Sequence, residues 1–156
     1  MITADQLICH AVGDYVIQSD WMANEKTKKS IAAIVHALSY AIPFLFLRPS
    51  IAAMAVMVVT HFAIDRWRLA RYVVYAKNYL SPRTSTKVHY EEIATSAGGV
   101  PHFVEKVEIQ QWWFPWEKCA STGYVNERPP WLSVWLLIIA DNVMHILING
   151  LALRYL

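Results

Sequence analysis

His10 and Asp14, His61 and Asp65, and Asp141 and His145 each stand four residues apart inside otherwise apolar segments. Residues at i and i+4 lie one turn apart on the same face of a helix. Each pair therefore makes one helix stripe polar and leaves the rest apolar. A chain with three such stripes is best served by helices packed with the stripes turned inward and the apolar faces outward. A further histidine, His36, sits alone in another apolar segment.

The apolar stretches run over about 2–18, 30–47, 50–72 and 131–153, each close to the length of a bilayer-spanning helix. The first is the most polar. It reads as spanning because His10, Asp14 and Gln18 share one stripe that a bundle can shield. Pro43 is expected to kink the second helix or end it early, and Arg48-Pro49 to turn the chain back into the third. Residues from about 75 to 130 form a polar insertion with turn signals and an alternating run, HFVEKVEI, that reads as a strand. The aromatic cluster Trp112-Trp113-Phe114-Pro115-Trp116 is expected to rest on lipid headgroups.

Composition agrees with a membrane class. Hydrophobic residues make up 56% and charged residues 17%, more apolar and less charged than a soluble domain. A net charge of +2 gives no reason to expect nucleic acid as a partner. If all four stretches cross, twelve of the fourteen Lys and Arg residues fall on one side, and only Arg48 and Arg154 on the other. The positive-inside rule puts the basic side in the cytoplasm and both termini outside it. No secretory signal is legible, since Asp5, Gln6, His10 and Asp14 interrupt the first twenty residues. Cys9 and Cys119 make no disulfide framework. The expected fold class is thus an all-α membrane protein: one domain, a bundle of four transmembrane helices with a cytoplasmic loop subdomain, multi-pass in the cell's inner (cytoplasmic) membrane.

In that topology every aspartate of a pair lies one turn cytoplasmic of its histidine. Ionisable residues in membrane spans are costly and mark function. Imidazole with carboxylate suits zinc, iron or manganese, and helical bundles build such sites from inward-facing residues at these spacings. A cation also offsets the burial of three carboxylates. The candidate ligands are His10, Asp14, His36, His61, Asp65, Asp141 and His145. Seven exceed one tetrahedral shell, so either two ions or one ion with supporting carboxylates is expected. Asp14, Asp65 and Asp141 are also the candidate general bases. Gln18, Arg66 and Asn149 are candidate substrate contacts, with Asn142 as a supporting amide. Each pair on its own is explained by a helix hydrogen bond; three pairs together with His36 favour a shared site. His89 and His102 lack ligand spacing and read as solvated. Lys26, Lys28 and Lys29 read as charges that set topology. Gly-rich phosphate loops, G-x-S-x-G, C-x-x-C and H-E-x-x-H motifs are absent.

The opening segment CHAVGDYVIQSDWMANEK resembles an uncharacterised family of small bacterial and phage membrane proteins, domain of unknown function 3307 (DUF3307). The resemblance rests on His10, Asp14, Tyr15, Gln18 and Trp21 with Lys26 in the following loop, then His36, then His61-Phe62 and Asp65, and finally Asp141 and His145. It covers about 5–70 and 135–150 and implies membrane location and the shared site, without a reaction. The leading expectation is a metal-dependent membrane hydrolase acting on a lipid-linked or phosphorylated substrate, with the lipid bilayer and anionic lipid as partners. The alternatives are a proton or metal-ion carrier using the same residues, and a non-catalytic structural or host-modifying membrane protein. Haem is disfavoured by an aspartate one turn from each paired histidine.

Overall fold

A computed structural model describes residues 2–80, 87–93, 102–108, 115–124 and 129–156. These are mainly helical, as the apolar periodicity implies. The first stretch forms α1 (Ala4–Ala11), a π-helical segment (Val12–Ile17) and, after a break at Gln18, α2 (Asp20–Glu25). α3 (Ser30–Ala41) tightens into 3-10 turns over Ile42–Leu47. Then follow α4 (Ile51–Trp67), α5 (Ala70–Leu80) and α6 (Pro130–Tyr155). Within the insertion, β1 (Lys87–Ile93) pairs antiparallel with β2 (His102–Glu108), from Lys87 opposite Glu108 to Ile93 opposite His102. The alternating run expected as a strand is β2. Trp112, Trp113 and Phe114 lie outside the described residues.

Local chemistry accounts for most boundaries. Thr3, Ser19 and Ser50 cap α1, α2 and α4 by accepting from the amides of Gln6, Met22 and Ala53, which satisfies donors that a helix start leaves open. Pro130 begins α6, where its missing N–H costs nothing. The α-helix of the second stretch stops two residues before Pro43, because that ring cannot continue the hydrogen-bond ladder. Arg48 turns the chain at φ 50°.

The third helix departs from expectation. It was expected as one helix over about 50–72, yet Arg68 adopts a left-handed conformation with φ 51° and its amide bonds back to Asp65 and Ile64. The chain then restarts as α5. Among the described residues, two segments are long and apolar enough to cross a membrane: Ser30–Leu47 with 18 residues and Pro130–Tyr155 with 26.

α4 packs against both α3 and α6, and α1 packs against α6 and the 3-10 turns. Small residues allow close approach: Ala32, Ala33, Ala37 and Ala41 are buried on α3. At Gly13 a Cβ atom would sit 2.6 Å from Tyr40 Cδ2 and 2.8 Å from Tyr40 O, so the π-helical segment lies directly on α3. Tyr40, Phe44, Met57, Ala53, Cys9 and Ala152 form the apolar core. Cys9 Sγ donates to Pro43 O at 3.3 Å, in keeping with a core thiol. Beyond the bundle, Trp116 stacks on Tyr72 with ring centroids 4.7 Å apart, and Arg71 donates to Ala120 O. Those contacts seat residues 115–124 on α5.

Beside this apolar core the bundle buries an unusual number of polar side chains and leaves large apolar ones exposed. Among the largest fully buried side chains are His36, His61, His145, Gln6 and Asn149, whereas Phe46 and Ile51 are 88% and 91% exposed.

Candidate metal centre

The residues expected at the site arrive from five elements. Asp14 comes from the π-helical segment, His10 from α1, His36 from α3, His61 and Asp65 from α4, and Asp141 and His145 from α6. His36 Nε2 and His61 Nε2 are 3.0 Å apart. Asp65 Oδ2 lies 3.1 Å from each of them. Asp14 Oδ1 lies 3.3 Å from His36 Nε2 and 3.5 Å from His61 Nε2. Neighbouring donors around an ion with bonds of about 2.0–2.2 Å are separated by roughly 3.0–3.4 Å, so these five distances have the size of coordination-shell edges. His145 Nε2 extends the cluster, 3.7 Å from Asp65 Oδ1 and 3.4 Å from Asp141 Oδ2.

Two groups, Asp14 with His36 and His61, and His61 with Asp65 and His145, each bring their donor atoms within 4.8 Å of one another. All five residues are buried. Asp14 Oδ1 and His145 Nε2, both turned to the cluster, have no hydrogen-bond partner among the described residues. Buried polar atoms are normally paired, so these open lone pairs on carboxylate and imidazole fit an ion.

Two expected ligands take other positions. His10 uses both ring nitrogens: Nδ1 lies 2.8 Å from Tyr40 Oη and Nε2 lies 2.7 Å from Asn142 Oδ1. The Asn142 amide donates to Ile138 O, so its oxygen faces His10 and also accepts from Tyr15 Oη at 2.8 Å. His10 Nε2 therefore carries the proton, and Nδ1 accepts from Tyr40. Asp141 reaches the cluster only through His145, and its side chain is 27% exposed, the most open of the three aspartates.

The expected substrate contacts divide in the same way. Arg66 is not at the cluster; its guanidinium donates to Thr27 O and Ser30 Oγ, fastening the 26–29 loop to α4. One residue after Asp65, it is turned about 100° around the helix, away from the inward stripe. Asn149 donates to Tyr40 Oη at 2.6 Å. Gln18 has its Oε1 buried without a hydrogen-bond partner among the described residues.

Two residues of the cluster were not legible. Tyr40 stacks on His61 with ring centroids 3.7 Å apart, while its hydroxyl joins His10 to Asn149. Its spacing of four from His36 was the available signal. Lys26 Nζ donates to Asp65 Oδ2 at 2.9 Å and lies 3.2 Å from His36 Nε2. In the sequence only the family resemblance set it apart from Lys28 and Lys29, which pair with Glu25 at the surface. The hydrogen bond from Lys29 holds the Glu25 carboxyl below its usual range. His89 and His102 fall in the hairpin strands, and their side chains lie outside the described set.

A family model described as a protein of unknown function, DUF3307, matches residues 2–91. That span includes every cluster residue except Asp141, Asn142, His145 and Asn149, whose assignment rests on geometry. No curated protein and no solved structure matches the chain.

Proposed function

The chain belongs to the DUF3307 family, and we propose that it is a multi-pass membrane protein whose buried cluster holds one divalent transition-metal ion and hydrolyses a lipid-linked or phosphorylated substrate. The observation that carries the metal reading is the set of shell-sized separations among Asp14, His36, His61 and Asp65. The two donor groups share His61, which favours a single ion drawing on both. Charge also favours a cation: the three carboxylates are buried or partly buried close together, and uncompensated buried charge is costly.

Membrane integration draws support from the buried polar cluster and from the many large apolar side chains exposed on the helices. In this reading α1 with its π-helical extension, α3, α4 and α6 cross the cytoplasmic membrane, with the basic loops inside. The exposed edge of the cluster is formed by Asp141, Asn142 and Tyr15. Asp141 is the general base there, and Asp14 and Asp65 are ligands. A bound ion supplies a hydroxide at neutral pH and polarises the substrate. Anionic lipid or lipid phosphate is the substrate class that a metal ion beside a membrane-facing edge would meet.

Elemental analysis of detergent-purified protein prepared without chelator tests the reading. One equivalent of zinc, iron or manganese is expected. His61→Ala should lose it, because that residue belongs to both donor groups, whereas His89→Ala should keep it. Metal-free wild-type protein, or full metal content in His61→Ala, would refute the centre.

One observation favours a second reading. Asp14, His36, His61, Asp65, His145 and Asp141 form an unbroken series of contacts no longer than 3.7 Å, the arrangement a proton or ion relay needs. A carrier would release its ion during purification, so weak, exchangeable binding with no hydrolysis would move the assignment there.

A further inference from the structure

The loop between α2 and α3 carries three lysines in four positions, and only one is turned inward. Lys28 and Lys29 reach Glu25 at the surface. The Lys26 side chain is 18% exposed and ends among the candidate ligands. Its two contacts, Asp65 Oδ2 and His36 Nε2, are the same atoms that the metal reading requires as donors. A lone pair that accepts a hydrogen bond from an ammonium is not available to a metal ion at the same time. The ammonium and the ion also repel each other at such distances.

We propose that Lys26 is the built-in counter-ion of the metal-free site and exchanges with the divalent ion. This rests on the metal reading above and adds its regulation. When the ion enters, the ammonium leaves Asp65 and His36; when the ion is lost, it returns and keeps the buried carboxylates compensated. The anchoring of the loop makes the exchange local. Arg66 holds Thr27 O and Ser30 Oγ, and the Lys28 and Lys29 amides bond to Glu25 O. The backbone can therefore stay in place while the four-carbon Lys26 stem swings toward the surface, as long amphipathic side chains readily do. The centre then binds its ion less tightly than its ligands alone would allow, and it does not collapse when empty.

The test is a Co2+ titration of the full chain in detergent, followed by visible absorbance, together with thermal melting of metal-free and metal-loaded protein. Lys26→Met removes the competitor, and its Co2+ affinity should rise roughly 5- to 150-fold, the usual range of coupling between linked occupants. Lys26→Arg keeps the charge and should stay near wild type. Metal-free Lys26→Met should melt below wild type, and saturating Co2+ should close that gap. If Lys26→Met does not fold, Lys26→Gln carries the same comparison. Co2+ binding that is unchanged or weaker in the neutral variants, with wild type binding normally, overturns the exchange alone. No Co2+ binding by wild type overturns the metal reading and the exchange with it.

Discussion

Tyr40 shows how much of the site depends on a residue that donates nothing to it. Its ring covers His61, and its hydroxyl accepts from Asn149 and donates to His10, which in turn bonds Asn142. Tyr40→Phe keeps the ring and leaves His10 Nδ1 and Asn149 Nδ2 without that partner. Each buried group left unpaired costs about 1–3 kcal/mol, so the variant should melt lower in the metal-free state while still binding one equivalent of metal. An unchanged melting temperature would mean that these bonds do not hold the bundle. The histidines and aspartates were readable because ionisable residues are conspicuous in apolar segments. Lys26, Tyr40 and the placement of His10 were not. A lysine in a basic loop and a tyrosine in a membrane-like helix have ordinary explanations, and only three-dimensional proximity sets them apart.

At the scale of elements, two of the irregularities in the helices sit at the cluster. The π-helical segment carries Gly13 and Asp14, and the left-handed Arg68 ends α4 three residues after Asp65. π-helical turns inside helices are frequent at functional sites. Here the wider turn lets Gly13 rest on Tyr40 while Asp14 reaches His36. Gly13→Ala would drive a methyl group to within 2.6 Å of the Tyr40 ring and 2.8 Å of its carbonyl oxygen. Overpacking of this kind costs about 1–3 kcal/mol. The variant should melt lower and also bind metal more weakly, because Asp14 is the next residue. Normal melting with normal metal content would show that α3 yields without consequence. Neither irregularity was legible: AVGDYVIQ and HFAIDRWRLARY keep helical apolar spacing through both places, and the deviation comes from packing against α3 and from the restart of the chain at α5.

For the whole molecule, the bundle buries a polar cluster beside its apolar core and leaves many large apolar side chains exposed, unlike a surface that water selects. Among the described residues, two helices are long and apolar enough to cross a membrane. The other two proposed spans depend on company, since α1 and its π-helical extension carry His10 and Asp14, and α4 carries His61, Asp65 and Arg66. If four segments cross, reporter fusions at Leu156 and at the start of the chain should both be active outside the cytoplasm, and one inserted near Lys28 should be active only inside. A fusion at Leu156 that is active only in the cytoplasm would contradict the four-span arrangement.

The division between sequence and structure follows from range. Helical content, the turns at Pro43 and Arg48, the strand at 102–108 and the identity of the conspicuous ligands depend on neighbours within about one or two turns, and these are written in order along the chain. Which donors share a centre depends on contacts as distant as 132 positions, such as His10 with Asn142. No local pattern encodes that His61 belongs to both donor groups, that His10 is occupied by Tyr40 and Asn142, or that one lysine of three turns inward. Those choices are made when α1, α3, α4 and α6 pack, because burial then forces each polar atom to find a partner or to leave a lone pair open.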